Sequence, residues 1–129
     1  MTWAGGVPVT GTRYRAPVRR IVLAGPDGVR FDAEVPETRR ERARGLLGRP
    51  RLPADHAMLI PNARSVHTLG MRFPIDAAFL DANLVVLSVK RLAASRVALP
   101  RLRARHILEC AAGTGPRPGD RLRAIAGTI

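Results

Sequence analysis

Apolar and polar residues alternate along short segments of the chain, and turn residues separate those segments. The clearest case is 29–35, where every second residue from Val29 to Val35 is apolar. A period of two residues predicts a β-strand with one buried face. An apolar run at 20–24 precedes it across the turn Pro26-Asp27-Gly28, in which proline presets φ and glycine accepts a left-handed conformation. The pattern therefore predicts a β-hairpin.

Further apolar segments predict more strands. The segments 75–80 and 84–89 are separated by Asp81-Ala82-Asn83, which predicts a second hairpin. Both segments are apolar on both faces, so we expect them at the centre of a sheet or barrel. Residues 91–104 are predicted to form a connection. The remaining predicted strands are 57–60, 67–71, 105–110 and 122–125.

One short helix is predicted near residues 38–48. Thr38 and Glu41 have the spacing of a capping box, in which each side chain accepts a hydrogen bond from a backbone N–H at the start of the helix. Apolar residues at 43, 46 and 47 give the helix one buried side. Gly45 lowers its helix propensity, so we expect a close packing contact at that position.

These segments predict a mainly β (α+β) fold with six to eight short strands and one short helix. The 129 residues match the length of one ordinary domain. We expect a compact single domain, β-barrel-like or a sandwich, over residues 19–129. Residues 1–18 contain several glycines and prolines with little periodicity, which predicts an N-terminal tail.

Composition adds a basic surface to this description. Aromatic residues make up only 4% of the chain, so the core must consist mainly of Leu, Val, Ile and Ala. The formal net charge is +12, and every basic residue except Lys90 is arginine. Arginine binds phosphate and carboxylate well, which suits an anionic partner. A biased overall composition, rich in Ala, Gly, Pro and Arg, explains the same charge without any partner.

The sequence also indicates a compartment. Cys110 is the only cysteine, so no internal disulfide can form, as is usual in a reducing compartment. The first 20 residues lack the apolar stretch of a secretory signal. No apolar run approaches the roughly 20 residues of a membrane-spanning helix. We expect a cytoplasmic protein with no membrane span.

Several motifs occur in a characteristic order and spacing, and the longest is His67-Thr68-Leu69-Gly70-Met71-Arg72-Phe73-Pro74-Ile75-Asp76 with its continuation to Asp81. The others are the segments 42–49, 52–53, 57–59, 107–109, 112–114 and 118–121. In these motifs the chain resembles the bacterial and archaeal domain of unknown function 192 family, over about residues 29–126. The resemblance implies a compact β-rich fold with one helix, and no assigned reaction.

The chain departs from that family at three points. Leu69-Gly70 replaces an aromatic pair that many relatives carry, which weakens any binding surface built on that pair. Ala57 replaces a glycine that commonly precedes Met-Leu. Many relatives are exported, whereas we expect no export signal in this chain.

The segment His67–Asp76 contains the main candidate site residues. His67 suits a general base, a ligand contact or a metal ligand, and equally a core histidine with satisfied hydrogen bonds. Asp76 precedes an apolar strand, where it could orient His67 or bind a cation, or else pair with an arginine such as Arg72 or Arg44 or cap the Pro74 turn. The candidate binding site consists of His67, Thr68, Met71, Arg72, Asp76 and Glu109.

Glu109 is the only acidic residue between Asp81 and Asp120, and it lies in an apolar strand. Together with His67 and Asp76 it would offer nitrogen and oxygen ligands to a metal. No paired-His or paired-Cys spacing supports such a site, so we predict no metal and leave the cofactor unknown. A carboxylate pair of Glu109 and Asp76, as in glycosidases, has no support in the spacing.

Other patterns are weaker. His106 and Cys110 alternate along one predicted strand, which suits either an activated thiolate or a small buried thiol. The glycines at 113–119 lack the Lys-Ser/Thr pair of a phosphate loop and are assigned to turns. Arg101, Arg103 and Arg105 would form a basic stripe if extended, either as a nucleic-acid surface or as a solvated face.

Three functions remain open at this point. The first is a non-catalytic binding or accessory domain for an unknown small molecule or protein, with its site around His67–Asp76. The second is a small hydrolase-like enzyme that uses His67 as base with Asp76 or Glu109. The third is nucleic-acid binding through the arginine surfaces, which few aromatic residues support.

Overall fold

Nine strands form two sheets in the part of the chain that the computed structural model describes. The structure describes residues 18–38, 41–42, 45–47, 49–68, 71–94, 96–98, 100–101 and 103–127, with only the backbone described at residues 66–67 and 97–98. The predicted tail at 1–18 therefore lies, except for Val18, outside the described residues. The strands are β1 (Arg19–Ala24), β2 (Arg30–Val35), β3 (His56–Pro61), β4 (Val66–His67), β5 (Ile75–Leu80), β6 (Val86–Leu92), β7 (Val97–Ala98), β8 (His106–Ala111) and β9 (Arg123–Ala126).

Seven strands make one mixed sheet in the order β6-β5-β8-β3-β2-β1-β9. All neighbours are antiparallel except β2 and β3, which are parallel. The two short strands β4 and β7 pair separately. The mainly β fold predicted from the sequence is confirmed. The connection predicted at 91–104 in fact contains the end of β6 and all of β7.

The predicted β1–β2 hairpin is confirmed. Phe31, Ala33 and Val35 are buried, as the period of two predicts. A turn at Pro26–Gly28 joins the strands, closed by a 2.9 Å hydrogen bond from the Gly25 amide to the Val29 carbonyl. Asp27 has φ 60°, so it adopts the left-handed conformation together with the glycine that follows it.

The crossover from β2 to β3 contains the predicted capping box. The Glu41 amide donates to Thr38 Oγ1 (3.0 Å), and the Thr38 amide donates to Glu41 Oε1 (3.0 Å). Helical backbone follows at residues 41–42, and the Gly45 amide bonds to the Glu41 carbonyl at 2.9 Å. The prediction of a close packing contact at Gly45 is wrong, because a Cβ at that position would make only ordinary van der Waals contacts. The glycine is instead required by its φ of +46°.

The β5–β6 hairpin is confirmed, but only β5 is central. Every residue of β5 is buried, since it lies between β6 and β8 with both faces covered. β6 is an edge strand with an intermediate or exposed middle, so its predicted central position is wrong. Asp81 Oδ1 closes the connection by accepting from the amides of Asn83 (2.8 Å) and Val85 (3.0 Å).

The sheet is open, which corrects the predicted β-barrel. β6 and β9 lie at opposite edges and do not form a ladder with each other. The segment before β9 only bridges toward β6, through bonds such as Val86 N–H to the Asp120 carbonyl (2.8 Å) and Leu122 N–H to the Leu84 carbonyl (2.9 Å). The strands curl without closing, because these bonds end where β9 turns to pair with β1.

Two apolar clusters lie on the two faces of the sheet. The inner face consists of side chains from the sheet itself and from Leu84 and Leu122, so the curled sheet packs on its own strands. The outer face is covered by residues of the connecting segments. Its cluster comprises Leu46, Leu52, Met58, Met71, Ile75, Ala77, Phe79, Leu92, Ala104 and Ile107. No helix in the described part of the chain is long and apolar enough to cross a membrane.

Candidate functional site

Asp76 is held by the fold on the inner face. It is only 5% exposed, and its Oδ1 accepts a hydrogen bond from Arg91 Nε across the β5–β6 pair. Its Oδ2 accepts from the amides of Gly113 (2.9 Å) and Gly115 (3.1 Å) in the turn after β8. Both carboxylate oxygens are therefore occupied, which is the condition for keeping a buried charge.

Gly115 approaches Asp76 closely. A Cβ at residue 115 would lie 2.9 Å from the Asp76 Cβ, closer than real side chains come. Glycine thus allows the turn to bring its amide to the carboxylate. The arginine that pairs with Asp76 is Arg91, whereas Arg72 is exposed and makes no such contact and Arg44 lies outside the described residues.

Thr68 also serves the fold. It is fully buried, and its hydroxyl donates to the Ala93 carbonyl at 2.6 Å and accepts from the Arg96 amide at 2.7 Å. The Thr68 amide bonds to the Arg96 carbonyl at 2.7 Å. These bonds fasten the chain after β4 to the chain after β6.

Glu109 lies on the outer face, near the centre of the sheet. Side chains alternate along a strand, so Ile107, Glu109 and Ala111 of β8 face the outer cluster. The register places Glu109 between Met58 of β3 and Ala77 of β5. Both of those neighbours are buried and apolar.

The carboxyl of Glu109 has no partner within the part of the chain that the structure describes. It is 5% exposed, and no described donor lies within hydrogen-bond distance. Burial raises its pKa from 4.5 to about 7, because desolvation penalises the charged form. A carboxyl with these properties can hold or accept a proton near neutral pH.

The two carboxyls do not form one site. Asp76 and Cys110 are paired in the register and share the inner face, while Glu109, one residue from Cys110, faces the other side. A glycosidase-like pair of Asp76 and Glu109 has no geometric support. Within the described ranges, no three His, Cys, Asp or Glu side chains lie close enough to hold a metal ion.

The rest of the candidate segment is divided. Met71 belongs to the outer cluster, and its amide bonds to the Thr68 carbonyl at 3.0 Å. The backbone of His67 forms β4 with Val66, while its side chain lies outside the described residues. Met71 and Glu109 therefore share the outer face, whereas Thr68 and Asp76 are occupied by other contacts.

Cys110 and His106 do not form a catalytic couple. They lie four positions apart along an extended strand, which is about 13 Å. Burial raises the pKa of the Cys110 thiol, and the nearby carboxyls of Asp76 and Glu109 add to that effect. His106 Nδ1 accepts a 3.3 Å hydrogen bond from the Asn62 amide, and burial lowers its pKa. The thiol is thus a neutral part of the core.

The arginine stripe is not extended. A 3.0 Å bond from the Ala104 amide to the Arg101 carbonyl makes a turn, so the alternation of a strand does not apply. Arg101, Arg103 and Arg105 are nevertheless all exposed. Nucleic-acid binding by these residues stays a prediction.

The chain resembles known proteins in its sequence and in its fold. A model of the family described as "DUF192: Uncharacterized ACR" matches residues 22–124. The chain belongs to the DUF192 family. No curated protein matches the chain. The family description assigns no activity, so the function of this DUF192 chain must be inferred from its site.

Two solved structures resemble this DUF192 chain. One, from Sinorhizobium meliloti 1021, is described as a "putative transcription regulator"; it is 24% identical, with a TM-score of 0.70, covering 86% of this chain and 98% of that one. The other, a protein of unknown function from Novosphingobium aromaticivorans DSM 12444, is 21% identical, with a TM-score of 0.68, covering 92% and 99%. At these identities the likeness supports the fold alone.

Sequence reasoning missed Arg91 and the two glycine amides that bind Asp76. Arg91 lay in the predicted connection 91–104, so it was not considered as a strand residue opposite Asp76. The signal was available in part, since an acid and a base in two strands of one hairpin are candidates for a cross-strand pair.

Proposed function

We propose that this DUF192 domain is a non-catalytic binding domain whose ligand site is the outer face around Glu109. The observation that supports the proposal is the buried carboxyl of Glu109, which no described group binds. Burying a polar group without a partner costs stability, so such a group in a native core calls for an explanation. A ligand that supplies the missing hydrogen-bond donor provides one.

The surroundings define the ligand chemistry. Glu109 is flanked by Met58 and Ala77, and Met71 contributes to the same cluster. An apolar lining with one polar anchor is typical of small-molecule sites. Because the carboxyl titrates near neutral pH, it accepts a hydrogen bond from an amine, an amide or a hydroxyl. We therefore expect an unidentified small molecule, or one side chain of a partner protein, that carries such a donor on an apolar body.

The segment His67–Asp76 borders this site through Met71. Two residues of the binding site predicted from the sequence, Glu109 and Met71, belong to the site proposed here. His67 stays a predicted contact. Thr68 and Asp76 are proposed to hold the surrounding backbone in place through the bonds described above.

The experiment is a thermal-shift screen of the full chain with polyamines, amino acids, nucleosides and sugars. A ligand that binds only the folded state raises the melting temperature by mass action. We expect at least one compound to stabilise the wild type and to lose that effect in Glu109→Gln. The matched control is Glu34→Gln, on the same face two strands away and bound by Arg49 at 2.8 and 2.9 Å.

The outcomes separate the proposal from its alternatives. Stabilisation that persists in Glu109→Gln, or that Glu34→Gln removes equally, would contradict a site at Glu109. A compound consumed by the wild type but not by Glu109→Gln would favour the hydrolase-like alternative. That alternative is supported by the pKa of about 7, which suits a general acid or base. Asp76 does not suit that role, because its oxygens are already bound.

A further inference from the structure

The outer edge of β6 offers an unpaired row of backbone groups. On its inner side β6 pairs with β5. On the edge that faces away from β5, only the first residue of the strand is bound. The Val86 amide donates to the Asp120 carbonyl, and the Val86 carbonyl accepts from the Gly119 amide, both at 2.8 Å. From Leu87 to Leu92, no other described backbone group bonds to this edge. Such an edge can accept an additional strand from another chain.

The surface beside this edge is positively charged. Lys90 and Arg91 are exposed on β6 itself. Arg101, Arg103 and Arg105 are exposed on the connection that returns to β8. Between Asp81 and Asp120 the sequence contains only one acidic residue, Glu109, and it is buried. Apart from Arg91, which binds Asp76, these charges lack a described carboxylate partner.

A cleft joins the edge to those arginines. Its volume is about 440 Å³, and it is lined by Leu87, Pro100, Arg101 and Arg103. The connection that carries the arginines is fixed at both ends, by the Arg101 amide to the Arg64 carbonyl (3.2 Å) and the Arg105 amide to the Leu80 carbonyl (2.7 Å). Two guanidinium groups beside an apolar wall suit a carboxylate on a short apolar stem.

We propose that the β6 edge binds an extended acidic segment of a partner protein, which adds as a further strand and places a carboxylate between Arg101 and Arg103. This site is separate from the one proposed at Glu109. Backbone hydrogen bonds would give affinity, and the arginines would select acidic side chains. A protein segment fits better than a nucleic acid, because residues 84–112 contain no Phe, Tyr or Trp on which bases could stack.

The test measures fluorescence anisotropy of a labelled short peptide of alternating valine and glutamate with the full chain. We expect saturable binding that weakens as salt is added, because exposed charges are screened. A second peptide has the same sequence with N-methyl groups at alternate amides. It should bind about ten-fold more weakly, since losing one or two net hydrogen bonds costs about 1.4 kcal/mol.

Charge-reversal variants locate the site. Arg101→Glu with Arg103→Glu should weaken binding at least ten-fold. The matched control, Arg30→Glu with Arg123→Glu, makes the same change in net charge at two exposed positions on either side of β1, near the opposite edge of the sheet, and should change affinity less than two-fold. Circular dichroism checks that each variant folds, and Lys90→Glu, a single change at an exposed strand position, replaces the first pair if it does not.

Three results would overturn the proposal. Equal binding of the N-methylated peptide would mean that no strand is added. Equal loss in both charge-reversed variants would mean that net charge alone attracts the peptide. Binding of a single-stranded DNA oligonucleotide, with no binding of the peptide, would favour the nucleic-acid function instead.

Discussion

Replacing Glu109 with glutamine should change how the stability of the domain depends on pH. The folded protein raises the pKa of Glu109 to about 7, while the unfolded chain keeps it near 4.5. Between these values the unfolded state has lost the proton and the folded state has kept it. Stability therefore falls as pH rises through this range. Glutamine carries no titrating proton, so the variant lacks this contribution.

The size of the effect follows from the two pKa values. Each pH unit over which only the unfolded state is ionised lowers the free energy of unfolding by about 1.4 kcal/mol. Between pH 5 and pH 8 the contribution of Glu109 should fall by about 2.5 kcal/mol. The free energy of unfolding of Glu109→Gln, minus that of the wild type, should rise by the same amount. Any fixed cost of burying the amide shifts this difference equally at every pH.

Urea unfolding followed by far-ultraviolet circular dichroism at pH 5, 6, 7 and 8 measures the difference. Glu34→Gln is the control, because hydrogen bonds from Arg49 lower the pKa of Glu34. Its stabilising contribution is present above pH 4.5 and is lost only as the pH falls further, so its difference from the wild type should stay nearly constant over this range. A constant difference for Glu109→Gln as well would refute our account, in which the Glu109 carboxyl of the folded protein stays protonated up to a pH of about 7.

Other contacts give predictions that need only single variants. Asp76→Asn should destabilise the domain by about 1–3 kcal/mol in urea unfolding, because it places an amide NH2 where a buried carboxylate oxygen accepts hydrogen bonds, and a loss below about 0.5 kcal/mol would contradict that role. Gly115→Ala should cost about 1–3 kcal/mol in the same assay, since its Cβ would collide with Asp76, whereas an unchanged midpoint would show that the turn can move. Thr68→Val should lower the free energy of unfolding by about 1–3 kcal/mol. It should also speed hydrogen exchange at the Arg96 amide, because that amide donates to the Thr68 hydroxyl in the wild type, and unchanged exchange would contradict this. Cys110 should react with a thiol reagent only after unfolding, because it is buried with a raised pKa, and rapid labelling of the native protein would disprove the assignment.

Local patterns predicted the strands well and their partners poorly. The alternation at 29–35 identified β2 because only one face of that strand is buried. The same reasoning failed for β6, since an apolar sequence does not say whether another strand pairs with its second edge. The predicted barrel was wrong for the same reason, because the sequence pattern does not show which strands pair at the edges of the sheet. Closure of the sheet into a barrel depends on whether β9 pairs with β1 or with β6. The alternation of apolar and polar residues within one strand does not predict that pairing.

The candidate site shows a similar division. Glu109 stood out in the sequence as a lone acid in an apolar strand, and it is buried as that pattern indicates. The residue opposite Asp76 could not be predicted by counting equal numbers of residues outward from the β5–β6 turn, because the register of the two strands shifts between Phe79 and Leu80. One extra residue moves every pairing along a hairpin. The opposite orientations of Asp76 and Glu109 also depend on the pairing of β5 with β8, which is a long-range contact.

The contrast between the two buried carboxyls is the strongest argument for where function lies. Asp76 stabilises the fold, since a guanidinium and two amides compensate its charge. Glu109 has no such compensation in the described structure, and its burial shifts its pKa upward at the expense of stability at neutral pH. An apolar side chain between Met58 and Ala77 would avoid that cost. A residue that weakens the fold where an apolar one would serve is a candidate for a role outside folding, and the outer face is therefore the place to look for a ligand.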